Sequence, residues 1–227
     1  MPLQQSWLSL QQQIHQTARS LNKDPNKITI LPVTKKQSIT TITELITQGQ
    51  HHFAENYLQE AVPKILALAH TPAIWHFIGA IQSNKTQKLA THFSWLHSVS
   101  SLAIAERLNT QRPSNLPPLN ICLQINTSTE TTKSGLNPAD ILPLAKKIQT
   151  LPNLKLRGIM AQPIRHNSFP EQKAAFQPAL DCFNFLNNAG FSLDTLSMGT
   201  TTDWQAAIAM DATLLRIGTM LFGARAN

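Results

Sequence analysis

Short apolar runs alternate with helical stripes eight times along this chain, and that rhythm restricts the fold more than any other feature. The runs fall at residues 28–35, 52–56, 74–79, 95–99, 119–126, 154–161, 195–199 and 214–222. Apolar residues at three- and four-residue steps lie between them. Ile39, Ile42, Leu45 and Ile46 form a stripe behind Ser38, Ala61, Val62, Ile65, Leu66 and Ala69 form another, and Leu102, Ala105 and Leu108 follow Ser100 and Ser101. Asn137-Pro138 reads as an N-cap with proline in the first helical position, and Ser168 with Glu171 reads as a capping box. Pro143 and Pro178 sit inside helical patterns and blur where those helices begin or bend. One more amphipathic pattern, Leu3, Trp7, Leu10, Ile14, Ala18 and Leu21, precedes the first run.

Strands joined by helical crossovers run parallel, and short apolar strands such as ICLQI suit burial on both faces. Eight such units in 227 residues predict an α/β fold, a single (β/α)8 TIM barrel with an extra N-terminal helix, as one domain over residues 1–227. A doubly wound open sheet is the alternative. It is disfavoured because Lys35, Lys36, Gln37 and Ser38, which follow the first run, include no glycine for a dinucleotide turn.

Charge and composition narrow the partners. The net charge is +7, but lysines and arginines are scattered, adjacent only at Lys35-Lys36 and Lys146-Lys147, so an anionic small molecule is a sufficient partner and no nucleic acid is expected. The eight histidines are dispersed, and neighbours His51 and His52 cannot share one helix face, so no metal site is expected. No apolar stretch reaches the roughly 18 residues of a membrane span, and the first residues lack a secretory pattern. Cys122 and Cys182 read as buried thiols, which suits a reducing, cytoplasmic setting.

In a barrel of this kind the chemistry gathers at the C-terminal strand ends. The first run, ITILPVT, ends on Lys35. An amine there can lose water, become neutral and attack an aldehyde to form a Schiff base. A solvated strand-end lysine is the plain alternative. Ser197 and Gly199, with Gly218 and Thr219 on the next strand end, read as an anion cup of backbone N–H groups and hydroxyls. Taken singly, Ser197 could be a helix cap and Gly218 a packing glycine. Arg216 lies two residues before Gly218 and points to the same side, into the barrel. No acidic residue is expected inside the barrel to meet it, which suggests a ligand acceptor. Schiff-base lysine, phosphate cup and inward arginine together describe pyridoxal 5′-phosphate (PLP), whose handles are an aldehyde, a phosphate and a ring nitrogen. Arginine at that nitrogen keeps the ring unprotonated and a poor electron sink.

The segments LPVTKKQ, HFAENYLQEAVPKI, WHFIGAIQSNK, LHSV, LQINTSTETTKSGL, LRGIMA, LSMGTTTDWQAAI and LLRIGTMLFGAR run in order from near residue 28 to the C-terminus. They resemble the pyridoxal phosphate homeostasis protein family (YggS/PROSC), whose fold is a barrel like the alanine racemase N-terminal domain. By that resemblance Lys35 is the Schiff-base lysine, a choice against Lys36 that alternation cannot make. Asn56 would lie near the cofactor ring, Arg216 at its nitrogen, and Ser197, Gly218 and Thr219 at the phosphate with Met198 beside them. Lys133 matches a lysine beside the site and is expected as a secondary or transfer contact. Ala54, Ala80, Gln37-Ser38 and Thr200, Thr201 and Thr202 depart from the family pattern without removing a ligand. The resemblance implies a PLP carrier in vitamin B6 homeostasis, with apo PLP-dependent enzymes as further partners.

The rival is a PLP-dependent amino-acid racemase. That chemistry needs a second acid/base, which racemases of this fold take from a tyrosine of an added β-domain. Tyr57 is the single tyrosine, immediately after the second run. The chain reaches Asn227 just beyond the eighth run, so a β-domain is not expected, nor is robust catalysis, and a monomer is expected.

Overall fold

The structure is a computed structural model and describes residues 2–127 and 135–223. Eight parallel strands form one sheet: β1 (Thr29–Pro32), β2 (His52–Glu55), β3 (Ile74–Phe77), β4 (Trp95–Val99), β5 (Leu119–Ile125), β6 (Leu154–Ala161), β7 (Thr195–Ser197) and β8 (Leu214–Ile217). Their order, β1-β8-β7-β6-β5-β4-β3-β2, brings the first and second strands to the two edges. A parallel bridge between Val33 and Ala54 joins those edges into a nearly closed barrel.

The seam is thin for a chemical reason. Thr34 N donates to Ala54 O at 2.9 Å, towards β2, whereas Val33 N donates to Ile217 O on β8. Pro32 is in phase with Thr34 and has no N–H to offer β2. Side chains make up part of the loss. Gln50 Nε2 donates to Ile30 O at 3.0 Å and to His52 O at 2.6 Å, across the two strands.

Helices cover the outside: α1 (Leu3–Ser20), α2 (Ile39–Thr47), α3 (Leu58–Ala67), α4 (Thr86–His92), α5 (Leu102–Gln111), α6 (Ile141–Ile148), α7 (Phe169–Asn188), α8 (Trp204–Ala209) and α9 (Thr219–Phe222). Ser38 and Ser101 cap α2 and α5 by accepting from Thr41 N and Ile104 N, and Ser168 with Glu171 closes a capping box on α7. Trp7, Leu10, Ile14 and Ala18, one stripe of α1, are buried as their spacing predicts. Phe53, Trp75, Leu96, Ile121, Ile159, Leu196 and Leu215 point outward from the strands into this main core. Leu31, Val33, Ala54 and Leu214 pack in a separate inner cluster, and Trp95, Cys122 and Met160 in another.

One expectation changes. The run at 214–222 is not one strand: β8 stops at Ile217, Gly218 breaks the direction, and α9 follows. Pro178 does not bend α7 to a stop. Its missing N–H would have bonded Ala174, which is exposed, so water can satisfy that carbonyl. Pro143 stands in the first turn of α6, where the N–H has no helical partner in any case.

Candidate functional site

An open cavity of about 250 Å³ lies at the C-terminal strand ends, lined by Lys35, Asn56, Arg216, Gly218 and Thr219 together with Ala161, Arg165 and the loop of Gly199, Thr200, Thr201, Thr202 and Asp203. That volume is below the roughly 300–1,000 Å³ of drug-sized sites and suits one aromatic ring with one phosphate. Five of the seven residues expected from sequence therefore meet in one place.

Lys35 occupies a turn directly after the seam, while Lys36 is exposed, outside the cavity lining, and left-handed at φ 64°. The peptide groups on both sides of Lys35 are tied to α3. Lys64 Nζ donates to Thr34 O at 2.8 Å, to Glu55 Oε1 at 2.8 Å and to Glu60 Oε1 at 2.6 Å. The Lys36 N–H donates to Glu60 Oε1, and Thr34 Oγ1 donates to Glu55 Oε1 at 2.7 Å. Burial raises the Glu55 pKa, only partly offset by the Lys64 and Thr34 hydrogen bonds. Burial also opposes the Glu60 charge, but bonds from Lys64 and the Lys36 N–H outweigh it and hold that pKa below the ordinary range. Glu55 is an acidic residue in a strand that the sequence reading left out, and it faces α3 rather than the barrel interior.

Asn56 follows β2, and its buried Oδ1 has no hydrogen-bond partner, an acceptor left for a ligand. Gly218 has φ −115°, and a Cβ built there would meet nothing nearer than Val33 Cβ at 3.8 Å. Its lack of a side chain therefore leaves room at the cavity rather than relieving a clash. Gly199 differs. It has φ +90°, and a Cβ would come within 2.6 Å of Ala207 Cβ. The loop after it is fastened internally: Thr200 N and Oγ1 donate to Asp203 Oδ1 at 2.6 and 2.9 Å, and Met220 N donates to Thr201 Oγ1 at 3.3 Å.

Arg216 is 3% exposed. Its Nη1 donates to Ser197 O at 2.7 Å and Ser197 Oγ at 3.0 Å, and its Nη2 donates to Ala161 O at 2.9 Å. Burial lowers its pKa to about 10 against the attraction of Asp203 and Cys122, so it stays a cation. Two protein carbonyls and a hydroxyl, rather than the expected ligand alone, satisfy three of its donor contacts. Ser197 and Met198 lie apart from the cavity lining. The Ser197 hydroxyl turns into the barrel towards Arg216 and His97, and Met198 is buried in the outer core. Lys133 lies outside the described residues.

Sequence reasoning missed a column inside the barrel. His52, His76 and His97 are far apart in the chain, yet their rings join in series below Ser197. The available signal was their position: each stands at an inward-facing point of strands β2, β3 and β4. It also missed Arg165, which follows β6.

The site fits PLP on the evidence of its own atoms: a cavity-lining lysine and arginine, an orphaned Asn56 acceptor and a glycine gap at the β8 end. Comparison with known proteins agrees. Residues 9–226 match the family described as alanine racemase, N-terminal domain. A Pseudomonas aeruginosa pyridoxal phosphate homeostasis protein is 49% identical over 212 residues, 93% of this chain and 91% of that one. The Escherichia coli protein of the same name is 44% identical over 215 residues, 93% and 92% of the two chains. PipY of Synechococcus elongatus, solved with PLP bound, superposes with a TM-score of 0.81 at 34% identity, over 92% of this chain and 100% of that one. A Clostridium difficile alanine racemase shares the fold, with TM-score 0.70 at 14% identity, over 96% of this chain and 57% of the racemase.

Proposed function

This chain belongs to the pyridoxal phosphate homeostasis protein family, built on the alanine racemase N-terminal domain, and from that membership we propose that it holds PLP as a Schiff base on Lys35 and buffers its free level. When bound, the cofactor supplies an electrophilic aldehyde, an anionic tail and a basic ring nitrogen. Lys35 offers the amine. Gly218 and Thr219, with the hydroxyl-bearing loop after Gly199, receive the anion. Asn56 orients the ring edge. Arg216 stays a donor to the ring nitrogen, and Ser197 acts through Arg216 while Met198 packs beneath the loop. Lys133 is a transfer contact in this reading.

The observation that carries the proposal is the meeting of Lys35, Asn56, Arg216 and Gly218 around one small cavity. A guanidinium facing the ring nitrogen does not surrender a proton, so carbanion chemistry is weakly supported. Holding a reactive aldehyde on a lysine limits its attack on bystander amines. Delivery to apo-enzymes, a monomeric state and a cytoplasmic location belong to the same reading; among the described residues no helix is long and apolar enough to cross a membrane.

Absorbance of the PLP-loaded protein before and after borohydride, followed by peptide mapping, tests the linkage. Label on Lys35 is expected; label on Lys36 refutes the assignment. The racemase reading is tested on a broad amino-acid panel, where turnover near ~1 s⁻¹, within the ordinary enzyme range, would replace the carrier reading.

A further inference from the structure

The barrel interior holds a continuous line of hydrogen bonds. His52 Nδ1 meets His76 Nε2 at 2.9 Å, His76 Nδ1 meets His97 Nε2 at 2.9 Å, and His97 Nδ1 meets Ser197 Oγ at 2.8 Å. Arg216 Nη1 donates to that same Oγ. The line climbs the barrel. His52 is level with Ile74, two residues before His76, and His76 is level with Trp95, two residues before His97. Trp95 stacks on His76 at 5.2 Å between ring centroids and 12° between planes, with Arg157 over its ring at 4.6 Å. Barrels of this kind fill the same volume with branched aliphatic layers, so a polar column here must satisfy each of its atoms.

Proton counting fixes its direction. Arg216 is a donor only, so Ser197 Oγ accepts from it. Among the described residues the Ser197 hydroxyl has one other side-chain partner, His97 Nδ1, and its proton goes there. His97 then carries its own proton on Nε2 and gives it to His76 Nδ1. His76 in turn gives its Nε2 proton to His52 Nδ1. The opposite order would leave the buried Ser197 O–H without an acceptor. Neutral rings are required, and the setting keeps them so. Burial, then the Arg216 charge, lowers the His97 pKa to about 3. Burial, then His97 and His52, takes His76 well below its usual value, and burial with His51 lowers His52.

We infer that His97, His76 and His52 are positioning residues for Arg216: a one-way relay, every proton on Nε2 and every Nδ1 lone pair turned towards the guanidinium. The aligned imidazoles hold the Ser197 hydroxyl, which in turn holds the arginine. Through Ser197 they fix it as a donor at the ring end of the cavity without adding a charge of their own. What Arg216 then faces rests on the PLP reading above; the relay itself does not.

The test begins with ligand-free, full-length protein carrying ¹⁵N-labelled histidine at neutral pH. Long-range proton–nitrogen correlation is expected to show protonated Nε2 and bare Nδ1 on all three rings. A protonated Nδ1 on His97 overturns the relay, and this measurement needs no variant to fold. His97→Leu and His97→Gln follow, with folding checked by circular dichroism. The glutamine amide can accept from Ser197 and donate to His76, so it should restore the parent absorbance and pH profile of the PLP-loaded protein. The leucine variant should shift that profile and bind PLP roughly tenfold more weakly, the scale of one hydrogen bond. A folded leucine variant with parental spectrum and affinity overturns the positioning role. Borohydride label away from Lys35 would defeat the PLP reading while leaving the tautomer result standing.

Discussion

Arg216 carries the sharpest single-residue consequence. It is a buried cation held by two carbonyls and a hydroxyl, with no carboxylate in hydrogen-bond reach among the described residues. Replacing it by glutamate, Arg216→Glu, should protonate the ring nitrogen of bound PLP and change the visible spectrum; an unchanged spectrum counts against its role. Gly218→Val should fill the gap at the β8 end and weaken PLP binding at least tenfold in a fluorescence titration, while circular dichroism stays that of the parent. Asn56, Arg216, Gly218, Thr219 and a lysine after the first run were legible because a barrel brings strand ends to one mouth, whatever the details of packing, while the choice of Lys35 over Lys36 came from the family resemblance. Ser197 was not. Alternation places it inward, but an inward hydroxyl can face a ligand or another strand, and only the His97 and Arg216 contacts decide. The histidine column was hidden for a related reason: inward direction follows from alternation, whereas contact between strands depends on register, which no single run contains.

Between elements, the weak place is the junction of β1 and β2. Strand count and helix caps could be read from periodicity and from Ser38, Ser101 and Ser168, since these are local signals. The seam could not, because it depends on which way the missing N–H of Pro32 points. Amide exchange should find Thr34 less protected than the paired amides of β5 and β6, which pair over seven residues with one register shift after Ile121. Equal protection would mean the seam is as tight as the rest. On the outer side of that junction, Lys64 bridges β1, β2 and α3. Lys64→Met leaves Glu55 buried without its cation and should lower stability by about 3–5 kcal/mol in urea melts. A loss well under that range would show that the carboxyl simply takes up a proton.

The whole molecule should be sensitive to acid. His76 and His97 are fully neutral in the fold well below the pH at which unfolded histidine, near 6.5, takes a proton. Below that pH the unfolded chain binds more protons than the folded one, so stability falls as pH falls, by up to about 1.4 kcal/mol per pH unit for each such ring. Above about pH 7 neither state binds these protons and the contribution is flat. Glu55 works the other way, since its raised folded pKa favours the fold while the unfolded carboxyl is still ionised, but it is one group against two. Urea midpoints between pH 7 and 5 should therefore drop, and a flat profile would mean that the buried rings charge as readily as exposed ones. One consequence of the proline gap reaches the same scale. Lys35 stands on one bank of that parting line and Asn56 on the other, so a guest gripped by both would act as the absent rung, a keystone whose loading tightens the cylinder and whose departure lets it breathe.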